Sequence, residues 1–270
     1  MSVRQPTFFI PHGGGPCFFM DPRPGHPPEM WAKLAAFLAG IPASLPEPPK
    51  AILVISGHWE EPVPTVNNAA HPGLLFDYYG FPPHTYQLTY KAPGDPVLAE
   101  RVRELLGQTD FSTASDDQRG WDHGVFIPFL VAFPQANIPV VELSLIEGLD
   151  PAAHEAMGRA LQPLRDEGVL IIGSGMSYHN LRAIYAEHQA QNAAAVFDQW
   201  LVSATTDPDP EARGRRLAQW AAAPGGRECH PREEHLIPLM VAAGAGGTDP
   251  GQHVYSDQLM GKALSGFRFG

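Results

Sequence analysis

Five histidines stand beside small or acidic residues where the chain turns. His12 lies in Pro11-His12-Gly13-Gly14-Gly15-Pro16, His58 in Ser56-Gly57-His58-Trp59 and His123 in Trp121-Asp122-His123-Gly124. His179 lies in Gly175-Met176-Ser177-Tyr178-His179-Asn180, and His235 in Glu233-Glu234-His235-Leu236. Imidazole is the commonest metal ligand and exchanges its proton near neutral pH, so such a set serves metal binding and acid–base work. Gly13, Gly14, Gly15, Gly57 and Gly175 remove side-chain bulk and permit unusual backbone angles, which leaves room for a ligand beside a ring. Taken singly, each histidine has a plainer reading. One that follows a strand caps a helix or fills a loop, and His123 is equally a structural group bonded to backbone.

The elements that must position these side chains decide between the readings. Thr7–Ile10, Ala51–Ser56, Val140–Leu145 and Val169–Gly173 are short apolar runs, rich in β-branched or aromatic residues, and read as buried strands. His12, His58 and His179 follow three of them. In open α/β sheets ligands bind beyond the carboxyl ends of the strands, so these three histidines are expected to converge. Helical patterns cover Pro96–Leu106, Pro151–Arg165, Ala193–Ala204, Glu211–Ala222 and Glu233–Ala243, with Asp150 as an N-cap before Pro151. Pro231 fits the first position of the last helix, which puts Glu233 and Glu234 in its first turn and His235 about one turn in. Glu234 is then the rival ligand to His235, as a hard carboxylate. His230 is a supporting group, a substrate contact or neither.

Strands alternating with helices give an α/β sheet covered on both faces, in one domain over residues 1–270. The segment Glu61–Gly94, rich in Pro, Tyr, His and Gly, is an irregular excursion of the kind that shapes a binding site. The remaining histidines, His26, His71, His84, His154, His188 and His253, read as surface or helical positions. His71 and His84 lie in the excursion and are the two with a place to line a site.

The formal net charge of −11 argues against a nucleic-acid surface and against anionic membranes. With two cysteines, Cys17 and Cys229, a disulfide framework is not expected, and a reduced cytoplasmic compartment fits. The start of the chain has no long apolar region after Arg4, and no stretch approaches the ~20 apolar residues that span a bilayer. Gly173-Ser174-Gly175 follows a strand but lacks the full Gly-x-Ser-x-Gly elbow of a nucleophilic hydrolase.

The five histidine motifs, in this order and at this spacing, resemble the 4,5-DOPA extradiol branch of the class III extradiol ring-cleavage dioxygenases. Phe76-Asp77-Tyr78-Tyr79-Gly80-Phe81-Pro82 and Tyr90-Lys91-Ala92-Pro93-Gly94 carry the likeness too, which runs from about residue 7 to residue 243. The resemblance implies an α/β fold with a central mixed, mostly parallel sheet flanked by helices. It implies a non-haem metal, iron(II) in working enzymes and zinc in some members, and a small aromatic diol opened with O2. By the match, His12, His58 and His235 hold the metal. His179 is a further ligand or the acid–base group, His123 hydrogen-bonds substrate or oxygen, and Tyr178 is a substrate contact. The wider class uses two histidines and a carboxylate. His235 in place of that carboxylate is a departure, and an all-histidine site also suits zinc, with a hydrolytic or non-catalytic role as the alternative. The substrate and the oligomeric state are left open.

Overall fold

Four apolar runs, centred on Phe8, Ile52, Val141 and Ile171, pair side by side as the middle of one sheet. The computed structural model describes residues 3–21, 29–184 and 189–270, so the readings of His26 and His188 as surface positions lie outside the described residues. Eight strands form the sheet. They are β1 (Thr7–Pro11), β2 (Ala51–Glu61), β3 (Thr65–Asn67), β4 (Ala114–Asp116), β5 (Val140–Ile146), β6 (Val169–Gly175), β7 (Gly251–Leu259) and β8 (Lys262–Phe269). Their order is β4-β3-β5-β2-β6-β1-β8-β7. The central β5-β2-β6-β1 pairings are parallel, while β3 runs antiparallel to β5, and β8 runs antiparallel to β1 and β7. Strands β1 and β6 are buried along their whole length, as expected where both faces are covered. The expected mixed, mostly parallel α/β sheet is therefore present.

Nine helices accompany it among the described residues: α1 (Ala32–Ser44), α2 (Pro96–Gly107), α3 (His123–Ala132), α4 (Pro151–Ala160), α5 (Pro163–Asp166), α6 (Gln189–Thr205), α7 (Pro210–Ala218), α8 (Gly226–Cys229) and α9 (Ile237–Gly246). Three of them start on Asp-Pro. Asp95, Asp150 and Asp209 each accept a backbone N–H of the first turn, and the proline that follows fills a position whose N–H has no partner in a helix. All ten residues of α9 are buried, and it packs on β6, β1, β2 and α4. Each fully buried Leu, Ile, Val or Met on it contributes roughly 1.5–3 kcal/mol relative to an exposed one.

Several boundaries differ from the sequence reading. The helix expected over Pro151–Arg165 divides after Ala160, and Pro163 opens a separate turn because it cannot donate the N–H that a continuous helix needs. The one over Glu211–Ala222 ends at Ala218, before a short 3-10 turn at Trp220–Ala222. The one over Glu233–Ala243 starts only at Ile237, with Pro238 rather than Pro231 in its first turn. Glu233, Glu234 and His235 thus lie in the approach to α9, not within it. His154 is not a surface group either. It is fully buried, where Nδ1–H donates to the Asp150 carbonyl (2.7 Å) and Nε2 accepts from the Ile146 N–H (3.0 Å), tying α4 to the end of β5. Cys17 and Cys229 are free and buried.

Candidate metal centre

Parallel strands bring their carboxyl ends to one rim, and the histidines gather there. His12 follows β1 directly, its N–H donating to the Gly175 carbonyl at the end of β6 (3.1 Å). His58 lies inside β2 rather than beyond it, because the strand runs on to Glu61 through an irregularity in its pairing with β5 between Ile55 and Glu60. That irregularity re-aims the side chains, the usual effect of a bulge beside a site. His123 is the first residue of α3, not a loop residue. Its neighbour Asp122 caps the helix by accepting from the Gly124 N–H (2.9 Å). The buried Asp122 carboxylate also accepts from the Ser56 hydroxyl (2.7 Å) and from Arg119 (3.1 Å). The Arg119 guanidinium donates in turn to the His58 carbonyl (3.2 Å). Asp122 therefore locks the start of α3 to the segment of β2 that carries His58.

His235 reaches the rim because the approach to α9 lies against two glycines. A Cβ on Gly175 would sit 2.1 Å from the His235 carbonyl oxygen, and one on Gly57 would sit 2.9 Å from the Glu234 carbonyl oxygen. These two glycines serve close backbone approach, whereas Gly13, at φ +89, serves the turn after His12. The Met176 N–H donates to the His235 carbonyl (2.9 Å), which fixes that approach.

Three imidazoles converge. His58 Nε2 lies 3.3 Å from His12 Nε2 and 3.2 Å from His235 Nε2. One ligand nitrogen from each of the three falls within a 4.8 Å group. Two nitrogens sharing one ion at ~2.0–2.1 Å are separated by about 2.8–3.4 Å for right-angled to tetrahedral arrangements, so the observed spacing fits a single cation. Burial first, and the neighbouring imidazoles next, push all three well below the ordinary histidine range, which leaves them neutral with a lone pair to give.

Two carboxylates back the rings. Asp77 Oδ1 accepts from both the backbone N–H (2.9 Å) and the Nδ1–H (2.8 Å) of His123, and Asp77 Oδ2 lies 3.5 Å from His58 Nδ1. Glu234 Oε1 lies 3.0 Å from His235 Nδ1 and 3.3 Å from His179 Nδ1. Holding Nδ1–H on a carboxylate presents Nε2 to a metal and raises its basicity. Glu234 therefore backs His235 on its Nδ1 side. Burial acts to raise the Glu234 carboxyl, but the bonds to His179 and His235 outweigh it and hold the group below the usual carboxylate range.

His179 stacks on His235, ring centres 3.4 Å apart and 17° from parallel, and the His123 ring centre is 4.0 Å from that of His58. His179 thus joins a group with Glu234 and His235 rather than the His12, His58 and His235 group. All five histidines and Tyr178 line one cavity of about 570 Å³. His71 lies apart, on a second cavity of about 470 Å³ with Tyr90 and Lys91, and His84 is exposed, bonded to the Phe19 carbonyl (2.9 Å). His230 is buried beneath the site, with Nε2–H donating to the Ser177 carbonyl (3.0 Å). Asp77 is the residue that sequence reasoning missed. Its signal was composition, since it is the only Asp or Glu between Glu61 and Asp95.

The family model described as the catalytic LigB subunit of aromatic ring-opening dioxygenase matches residues 6–268. The chain belongs to the LigB family of aromatic ring-opening dioxygenases. A dioxygenase named tasH from Hapsidospora irregularis is 37% identical over 280 residues, covering 98% of this chain and 85% of the relative. A 4,5-DOPA dioxygenase extradiol from Beta vulgaris is 41% identical over 245 residues, covering 89% and 87%. The crystal structure of an uncharacterized protein from Escherichia coli K12 superposes with a TM-score of 0.79 at 28% identity, covering 99% of this chain and 100% of that one. Membership of the LigB family makes the chain an oxidoreductase, and its histidine group could hold a metal ion. Among the described residues no helix is long and apolar enough to cross a membrane.

Proposed function

We propose that residues 1–270 form one catalytic domain that holds a divalent metal on His12, His58 and His235 and opens a catechol-type, DOPA-like ring beside its diol, consuming O2. The observation that carries this reading is the convergence of three neutral Nε2 atoms, at 3.2 and 3.3 Å, on the wall of a cavity large enough for an aromatic ring. Iron(II) there would supply the electron exchange with oxygen that a spin-paired arene cannot make directly. The protein's own groups do the rest. His179, with Nδ1 on Glu234, would take the first proton of the diol on Nε2 and later return one. His123, fixed twice by Asp77, hydrogen-bonds a substrate or dioxygen atom. Burial pushes the Tyr178 phenol up to about 12, so it stays protonated at neutral pH and donates to a substrate oxygen. The mainly apolar remainder of the cavity gives the ring a surface to pack on beside these groups. Both oxygen atoms enter the ring-opened semialdehyde as the carbon–carbon bond next to the diol breaks.

The three-imidazole set also suits zinc, with a hydrolytic or purely binding role as the second reading. Anaerobic loading with iron(II), followed by oxygen-electrode and absorbance assays with several catechols, separates the two. Oxygen uptake stoichiometric with ring opening is expected, and metal-loaded protein inert towards every catechol overturns the reading. His179→Ala is expected to keep at least part of the metal and lose turnover. Full activity in that variant removes the acid–base assignment.

A further inference from the structure

The cavity over the histidines has two unlike parts. His12, His123 and His235 are buried, whereas Met20, Met30, Trp31, Phe81, Leu259 and Met260 line the same cavity half-buried, towards solvent. Six apolar side chains left partly open to water around a polar centre form a surface that an apolar group would cover. Methionine adapts to irregular and aromatic shapes, because it is unbranched and polarisable. The charged side chain among the described lining residues, apart from the histidines, is Asp21, largely exposed, whose carboxylate opposes a second anion.

Met260 stands out by its backbone. It and Gly261 form the turn between β7 and β8, at φ +50 and φ +77. Two consecutive positive φ values are the signature of a tight hairpin turn in which Asn, Asp or Gly sits first with least strain. A long apolar side chain there is held off its preferred backbone, and strain of this kind persists where surrounding structure enforces it, often at a ligand clamp. The enforcement is visible. Lys262, almost fully buried, donates through Nζ to the Ile184 carbonyl (2.7 Å) and the Met260 carbonyl (3.1 Å), docking the turn against another residue of the cavity wall.

We propose that this outer chamber takes the ring substituent of the substrate, that the substituent is uncharged and apolar, and that Met260 sets the preference. The inference rests on the ring-opening of a catechol proposed above and narrows its substrate class, with an apolar substituent in place of the charged side chain of DOPA. The test compares catechol, 4-methylcatechol, 4-propylcatechol and L-DOPA. Binding is measured by calorimetry without oxygen on zinc-loaded protein, and turnover by oxygen uptake on iron-loaded protein. Each methylene that enters the chamber is expected to tighten binding about fourfold, the ratio that follows from the transfer free energy of one buried methylene. From methyl to propyl, Kd is therefore expected to fall roughly tenfold or more. Met260→Asn should at least halve that ratio without lowering Tm, since Asn suits the turn better. Equal affinity across the alkyl series, or L-DOPA bound more tightly than 4-propylcatechol, overturns the inference even if rings are opened. Graded binding without oxygen uptake from any catechol supports the chamber and overturns the ring-opening reading instead.

Discussion

The candidate centre is built twice from the same parts. On one side Asp77 backs His58 and His123, and on the other Glu234 backs His235 and His179. In each half one imidazole belongs to the converging group and the other lies beside it. The halves differ in where the carboxylate leans. Asp77 is closer to His123 (2.8 Å) than to His58 (3.5 Å), whereas Glu234 is closer to His235 (3.0 Å) than to His179 (3.3 Å). One carboxylate thus serves chiefly the ring outside the converging group, and the other serves chiefly a ring within it. On the proposed reading, this difference would favour metal retention on the Glu234 side and the holding of substrate or dioxygen by His123 on the Asp77 side.

The most damaging substitution is expected at His58, whose Nε2 is shared by both close contacts of the converging group. His58→Ala should leave metal near background by elemental analysis, with no measurable oxygen uptake; full metal occupancy in this variant would end the shared-centre picture. The backing carboxylates come next, each at roughly 10–100-fold in metal affinity or activity. Glu234→Gln should weaken metal affinity more than Asp77→Asn, and Asp77→Asn should lower kcat more than Glu234→Gln. If the two variants show the same split between metal affinity and kcat, the asymmetry in distance carries no functional weight.

Acid should expose a further difference. The segment carrying Tyr178 and His179 rests on buried His230, which burial pushes down from 6.5 to about 4. Because this folded-state value is depressed, the neutral ring's contribution is fully present above about pH 6.5. It is lost as pH falls towards 4, at up to about 1.4 kcal/mol per pH unit. Denaturation curves across that window should show the slope, and His230→Gln should lower it by one proton's share, because burial also lowers His12, His58, His154 and His235 and each adds slope of the same sign. The smallest effect is expected from Arg119→Lys, which keeps the charge but loses the planar fork that joins Asp122 to the His58 carbonyl. A few-fold loss of metal affinity is expected, and an unchanged value would show that β2 holds His58 unaided.

Much of this half-and-half construction was legible in the chain. The strands before His12, His58 and His179 were readable because a strand buried on both faces is a continuous apolar run, and their carboxyl ends face one rim by topology. Glu234 was readable as a partner of the centre because it adjoins His235. Asp77 was not, since nothing local says that an excursion folds back onto α3. Helix α3 was hidden by its own composition, being apolar on every side and containing Pro128, which erases the helical period. Strands β7 and β8 escaped because β7 is an edge strand exposed along much of its length, with Gln252, His253, Ser256 and Asp257 in place of an apolar run. His154 looked like a surface helix residue because a buried histidine satisfied by two backbone groups leaves no pattern in the sequence. The start of α9 was misplaced by two prolines, Pro231 and Pro238, either of which fits a first turn.

The burial of α9 on every side has a consequence for assembly. His235 sits two residues ahead of a helix that the hydrophobic core itself holds in place. The third nitrogen of the converging group is therefore placed by packing alone, unlike small zinc modules that fold only around their ion. Chelation should strip the ion while far-ultraviolet circular dichroism at room temperature stays unchanged, with Tm falling only by the mass-action contribution of the lost ligand. On the proposed reading, metal loading would then follow folding on a finished scaffold rather than drive it.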